Sequence, residues 1–246
     1  AAGYATYKVL SQETNLSPTS MAGHSLGEYT ALVASNSINF FDAVQLVRQR
    51  GELMQSAVPS GTGSMAAILG LEDAVIIEMC QKANSKGIVE AVNFNSPGQV
   101  VIAGEKNAVA HACELLKEAG AKRTLILPVS VPSHCSLMKQ AASEFKNSID
   151  SVDFKMSDVK VIHNVDANYA SDINEIKSKL VEQLYMPVLW TDSVIKMKDS
   201  GVERLIEVGP GKVLTGLTRR IDKSLSASAI IDVSSLKSTI EEISNA

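Results

Sequence analysis

Residues 19–36 read TSMAGHSLGEYTALVASN, and the fold turns on how this stretch divides. Residues 19–24 form a short apolar run that ends at a turn, while from 26 to 36 the apolar spacing is helical. A strand that passes through a tight turn into a helix is the building unit of α/β proteins. The same alternation extends outward. Residues 1–14 and 41–58 carry helical patterns. Toward the C-terminus, helices are predicted over about 136–148, 172–184, 191–199 and 211–221, and strands over 159–162, 203–208 and 227–231. Strands separated by helices pair in parallel, so a parallel sheet is expected.

The middle of the chain reads differently. Residues 64–69 look like a strand and 72–84 like a helix. Two strands, 87–94 and 98–104, meet at Asn95-Ser96-Pro97-Gly98. A helix over 106–119 closes at Gly120, and 122–128 is a last strand. The order βαββαβ is the ferredoxin-like arrangement. The predicted organisation is therefore α/β: a large domain from residues 1–60 and 132–246, with a small ferredoxin-like domain, 61–131, inserted in it. PSGTG (59–63) and PVSVP (128–132) are the expected connections.

With 246 residues, 45% apolar and 20% charged, the chain is neither disordered nor fibrous. It is long enough to bury a core without disulfide or metal staples. A formal net charge of −4 argues against a nucleic-acid binder. No apolar run approaches the length of a membrane span, and the first residues lack a signal-peptide pattern. Cys80, Cys113 and Cys135 cannot make a complete disulfide framework and show no CxxC spacing, so neither a disulfide scaffold nor a zinc site is expected. Cys80 and Cys113, on helical patterns, are expected to be packing residues in a reducing, cytoplasmic compartment.

Gly23-His24-Ser25-Leu26-Gly27 fits G-x-S-x-G, with a strand before it and a helix after it. Such a turn exposes the Ser25 hydroxyl at a helix N-terminus, where the Leu26 N–H can face a developing oxyanion. The flanking glycines would let the backbone pass close by. A serine nucleophile needs a base within hydrogen-bond reach. His24 adjoins Ser25, but successive side chains on such a turn diverge, so it is expected to pack or hydrogen-bond elsewhere. His111 lies on a helical pattern and reads as surface. His134, in Val131-Pro132-Ser133-His134-Cys135, sits at the re-entry into the large domain, where catalytic groups gather. His163, at the end of a strand beside Asn164 and Asp166, is the second candidate. Cys135 is a minor rival nucleophile. Asp158, Asp166 and Asp192 are possible acidic partners, and a backbone carbonyl orienting the imidazole is the alternative.

At helical spacing, Ala43, Val44, Leu46, Val47, Leu53, Met54, Ala57 and Val58 form one apolar face with Arg50 in its middle. Arg48 falls among Gln45, Glu52 and Gln55 on the polar side. A cation on an apolar stripe demands a partner. That partner is either an internal acid, with the stem buried and the head reaching water as a variant, or an anionic ligand, whose carboxylate a guanidinium matches with two prongs. Gly61-Thr62-Gly63 and Gly209-Pro210-Gly211-Lys212 fail the dinucleotide and phosphate-loop patterns and read as turns, the second opening a helix.

GHSLGEYTALVAS, NFNSPGQVVIAG, PVSVPSH and EVGPGKVLTGL, in this order and spread over nearly the whole chain, resemble the bacterial malonyl-coenzyme A:acyl carrier protein transacylases of fatty acid synthesis. The resemblance implies an α/β-hydrolase-like large domain with a ferredoxin-like insertion. It implies Ser25 as the acylated nucleophile, His134 as the base, and Leu26 as a backbone donor of the oxyanion hole. Gln183, in EQLYMP, would orient the histidine through its backbone carbonyl, and Arg50, in LVRQRGELMQ, would hold the malonyl carboxylate. The implied reaction is a ping-pong transfer from malonyl-CoA to the phosphopantetheine thiol of acyl carrier protein. No metal or redox cofactor, no nucleic acid and no membrane take part, and the protein is expected to be a cytoplasmic monomer. Carrier proteins of this kind are acidic, so Lys122-Arg123 and Arg219-Arg220 with Lys223 are docking candidates, ordinary solvated charges being the alternative. The family opens with a strand and a Gly-Gln-Gly-rich loop that gives a second oxyanion donor. Nothing like it precedes Ser25, so an opening segment is expected to be missing. The rival functions are a serine thioesterase or esterase, which uses water and has no need of Arg50, and an impaired fragment or module that only holds carrier protein.

Overall fold

A computed structural model describes residues 1–129 and 131–244. It is a mixed α/β structure. Helix α1 (Ala2–Glu13) precedes β1 (Ser20–Ala22), which enters α2 (Leu26–Ala34) through the turn at Ser25. Helix α3 (Phe40–Ser56) follows; the Asn39 side chain caps it by accepting from Phe41 N–H.

The middle segment forms the βαββαβ order expected: β2 (Gly63–Leu69), α4 (Asp73–Ala83), β3 (Val89–Ser96), β4 (Gln99–Glu105), α5 (Lys106–Glu118) and β5 (Arg123–Ile126). The four strands make an antiparallel sheet in the order β3-β4-β2-β5. The β3–β4 loop is only Pro97-Gly98, shorter than the four-residue turn expected, because Gly98 takes φ +71° after a proline with fixed φ. The inner strands β2 and β4 are buried on both faces, while the edge strand β5 is largely exposed. Ala66, Ile68, Val100 and Ile102 pack with Ile76, Cys80, Val109 and Leu116 of α4 and α5. On the other face Met65, Val92, Val101 and Ala103 cover Cys135.

The chain continues with a single 3₁₀ turn over Ser136–Met138, then α6 (Lys139–Asp150), β6 (Lys160–Ile162), α7 (Ile173–Glu182), α8 (Trp190–Asp199), β7 (Arg204–Val208), α9 (Val213–Ile221), β8 (Ser226–Ile230) and α10 (Val233–Ser244). Helices α2, α3, α6 and α7 share a core of Tyr29, Leu32, Leu46, Met54, Phe145 and Leu180. A second core joins Ile162, Val188, Trp190, Val194, Leu217 and Leu225.

Four expectations need correction. Among the described residues the parallel strands form two separate pairs, β1 with β6 and β7 with β8, rather than one sheet; α1 packs against both β7 and α2, with Gly3 seated on the Val208 carbonyl. Helix α10 has no counterpart in the reading above. Its serine-rich start hides a capped helix, in which Asp232 accepts from Ser235 N–H. Val44 is exposed, so the apolar face of α3 is narrower than its periodicity implies. Gly63 is already in β2 rather than in a connection, and the second connection contains Ser130, which lies outside the described residues. The three cysteines are free and buried. No helix among the described residues is long and apolar enough to cross a membrane.

Candidate active site

The turn between β1 and α2 is built around Gly23. A Cβ there would lie 2.0 Å from the Gly27 carbonyl carbon, so no other residue fits. Gly27 itself has open space where a Cβ would stand. Only the first glycine of G-x-S-x-G is required sterically, a correction to the expectation for both. Ser25 takes φ 51°, ψ −109°, a conformation that L residues rarely adopt and that must be held by its surroundings.

Three distant segments converge on its hydroxyl. Ser25 Oγ lies 2.8 Å from His134 Nε2. His134 Nδ1 is 2.7 Å from the Gln183 carbonyl, which can only accept, so the proton sits on Nδ1 and Nε2 is left to accept from the hydroxyl. Burial, reinforced by the Arg50 charge, pushes the His134 pKa down to about 3, so the imidazole is neutral at physiological pH. His134 has φ +66°, and its N–H donates to the Leu184 carbonyl at 3.0 Å. The loop is tied down just beyond it, where Ser136 N–H and Oγ both donate to Glu90 of β3.

Arg50 is 7% exposed on the buried side of α3. Its Nη2 donates to Ser25 Oγ at 3.1 Å and to Gln183 Oε1 at 3.0 Å, and its guanidinium stands 5.8 Å from the Tyr29 ring centroid. Its Nε and the Tyr29 hydroxyl have no hydrogen-bond partner among the described residues. Among the described residues no carboxylate pairs with Arg50. Of the two explanations for a cation on this stripe, the internal ion pair is therefore absent. Arg48, two residues away, is exposed and paired with Glu52 at 2.9 Å.

Leu26 N–H, at the first position of α2, has no acceptor among the described residues, and its side chain is exposed. The rejected candidates lie elsewhere. His24 Nε2 is 2.8 Å from Asn95 Oδ1, and its ring stands 5.7 Å from that of Trp190. His111 faces Glu114 on α5. His163 is buried against Glu28 at 2.7 Å. The Cys135 thiol donates to the Pro132 carbonyl, and burial pushes its pKa up to about 12, which keeps it out of the thiolate form. Asp158, Asp166 and Asp192 do not reach His134; the carbonyl alternative is the arrangement present.

Two site residues escaped sequence reasoning. Asn164 Oδ1 accepts from Ser25 N–H at 2.7 Å and its Nδ2 donates to the Gly23 carbonyl at 2.8 Å. Glu28 accepts from Gln183 Nε2 at 2.8 Å and from Asn164 N–H at 3.0 Å. The signal for Glu28 was available: it shares the buried face of α2 with Leu32, the same anomaly that exposed Arg50. Among the described residues no group of three or more His, Cys, Asp or Glu could hold a metal ion.

Residues 3–239 match the acyl transferase domain family. The chain is 53% identical over 240 residues to the malonyl CoA-acyl carrier protein transacylase of Escherichia coli (strain K12), covering 98% of this chain and 78% of that protein. It is 45% identical over 233 residues to the protein of the same name from Bacillus subtilis (strain 168), covering 94% and 74%. A solved acyl carrier protein S-malonyltransferase from Vibrio cholerae superimposes with a TM-score of 0.94 at 54% identity, over 97% of this chain and 78% of that one. A malonyl-transacylase solved in complex with its type II PKS acyl-carrier protein gives a TM-score of 0.96 at 48% identity, over 98% and 78%.

Proposed function

The chain belongs to the acyl transferase domain family, and from that premise we propose that it moves a malonyl group from malonyl-CoA to the thiol of acyl carrier protein by the residues gathered at Ser25. The protein is an acyltransferase, a malonyl-CoA:acyl carrier protein transacylase, as its relatives at 53% and 45% identity are. The observation that carries the assignment of roles is the 2.8 Å contact between Ser25 Oγ and a neutral His134 whose other nitrogen is bound to a carbonyl.

In this reading His134 Nε2 takes the hydroxyl proton as Oγ attacks the malonyl thioester carbonyl. Leu26 N–H donates to the oxyanion. The tetrahedral adduct collapses, the C–S bond breaks, and coenzyme A leaves with the proton that His134 returns. The carrier's phosphopantetheine thiol then attacks the malonyl ester, with His134 accepting the thiol proton and returning it to Ser25 Oγ. A thiol with pKa ~8.5 asks little of its base. Arg50, buried without an acid, is the group for the malonyl carboxylate. An acetyl group would leave that charge unanswered, a penalty on the order of 2–5 kcal/mol. Every proton and acyl movement in this scheme is assigned to the chain, coenzyme A or the carrier thiol.

The same reading takes residues 61–131 as a ferredoxin-like insertion in an α/β-hydrolase-like domain made of 1–60 and 132–246, which the antiparallel order β3-β4-β2-β5 supports. It takes the basic residues at one end of that sheet as the face for an acidic carrier. Lys122 lies against Gly70, whose N–H donates to the Gly98 carbonyl, and the next residue, Gln99, accepts from Arg220. One member of each cluster, Lys122 and Arg220, thus lies near the β3–β4 turn.

The test is to incubate the protein with malonyl-CoA, map the adduct by peptide mass, and add carrier protein. Malonyl on Ser25 that passes to the carrier supports the reading; an adduct on Cys135, or release of free malonate only, overturns it. His134→Ala should abolish most transfer and His163→Ala retain it per folded molecule.

A further inference from the structure

The strained turn at Ser25 is closed locally by the Gly27 N–H donating to the His24 carbonyl at 2.9 Å. Its Ser25 N–H and Gly23 carbonyl are held from across the molecule, by the residue two places beyond the end of β6. Asn164 is fully buried, and its one amide group reaches both sides of Ser25, accepting from Ser25 N–H and donating to the Gly23 carbonyl. A side-chain amide is the neutral group that offers a donor and an acceptor at this separation. It also removes the Ser25 N–H from competition, while Leu26 N–H at the start of α2 has no acceptor among the described residues.

Asn164 is itself held. Its backbone N–H donates to Glu28, and the same Glu28 oxygen accepts from Gln183 Nε2, which also donates to the Ser25 carbonyl at 3.1 Å. The other Glu28 oxygen meets His163 Nδ1. Glu28 lies in the first turn of α2, where a carboxylate faces the positive end of the helix. One buried carboxylate therefore touches both the strand end that fixes the nucleophile and the residue whose carbonyl fixes the base. It touches no atom that reacts.

We propose that Asn164 and Glu28 are positioning residues for acyl transfer: Asn164 holds Ser25 in its reactive conformation, and Glu28 keeps Asn164 and Gln183 in register with one another. The proposal rests on the reading of Ser25 as nucleophile and His134 as base. A misplacement near 1 Å costs about 10²-fold in rate, and that is the size of effect expected.

The experiment compares wild type, Asn164→Ala, Asn164→Asp and Glu28→Gln by two rates and two controls. The rates are malonyl transfer at saturating malonyl-CoA and labelling of Ser25 by a fluorophosphonate, a probe with no carboxylate for Arg50. The controls are the malonyl-over-acetyl preference and thermal unfolding. Asn164→Ala should lower both rates together by about 10²-fold, with KM for malonyl-CoA within about threefold and the malonyl preference intact. Glu28→Gln should lower both rates by a smaller factor in the same proportion. Wild-type labelling of Ser25 per folded molecule in Asn164→Ala, with only the unfolding temperature reduced, makes the residue a structural one and overturns the proposal. So does a loss of malonyl preference or a raised KM with labelling unchanged, which would place Asn164 in substrate binding. Should Asn164→Ala not fold, Asn164→Asp, which keeps size and acceptor and loses the donor to Gly23, decides by the same two rates. If the wild-type label itself maps away from Ser25, the underlying assignment fails, and that result is separate from any variant.

Discussion

Between the four-stranded sheet and its helices, the buried side chains include Ala66, Ile68, Ile76, Val89, Val100, Ile102, Val109 and Leu116, with the thiols of Cys80 and Cys113 among them. Beneath Ser25 they are Glu28, Arg50, His134, His163, Asn164 and Gln183. Both regions exclude water, yet they are held together by different rules. In the first, any apolar set of similar volume satisfies the sheet and helices. In the second, the donors meet particular acceptors, and burial without them would cost a few kcal/mol per group. The lesson is that the first interior tolerates exchange and the second specifies geometry. Arg50 marks the limit of the contrast, because its Nε has no hydrogen-bond partner among the described residues.

The sharpest way to break the contrast is Arg50→Ala. Malonyl transfer should lose about 2–5 kcal/mol of transition-state stabilisation and acetyl transfer much less, read as kcat/KM for each acyl-CoA. An equal loss for both would make the arginine one more structural contact in the polar interior. The next test is acid. His134 has a folded pKa of about 3 against 6.5 unfolded, so the unfolded chain binds more protons between these values and stability falls as pH drops below 6.5. From pH 6.5 to 4.5 this single group should cost on the order of 2–3 kcal/mol of unfolding free energy. Urea unfolding at pH 7, 5.5 and 4.5, with His134→Gln as the flatter reference, would show it; parallel curves for the two proteins would contradict the assigned burial. The same shift keeps this imidazole neutral, so if His134 is the base, the rate of Ser25 acylation should show no fall near pH 6.5. Ile102→Val, in the apolar interior, should cost only about 0.5–1.5 kcal/mol of stability and leave the kinetics per folded molecule unchanged. A change in acyl preference there would mean that the two interiors are coupled. Smallest of all, Arg48→Ala should leave both transfer rates within about twofold, because its ion pair with Glu52 is exposed.

The alternation of strands and helices was legible from hydrophobic spacing alone, because periods of two and 3.6 residues are local properties of the backbone. So were the tight serine turn, from its flanking glycines and its place between a strand and a helix, and the anomaly of Arg50, from its position on an apolar face. The carbonyl partner of His134 stayed one alternative among several in the residues themselves, and only the resemblance singled out Gln183. What spacing could not reach was the coming together of residues 23, 25, 28, 50, 134, 164 and 183. Hydrogen bonds such as Ser25 to His134, 109 residues apart, or Gln183 to Ser25, 158 apart, leave no periodic trace. The parallel pairing of β1 with β6 brings only Asn164 beside the serine turn; Gln183 arrives from the end of α7 and is bound to Glu28, and His134 is tied to the Leu184 carbonyl. The separation of the parallel strands into two pairs, the freedom of Gly27 and the clamp of Asn164 were likewise decided by neighbours distant in the chain. Sequence determined most of the strands and helices, α10 excepted, and that Arg50 is out of place. Tertiary packing alone decided which polar atoms meet, because a buried hydrogen bond is set by distances of a few tenths of an ångström between elements whose order in the chain does not encode them.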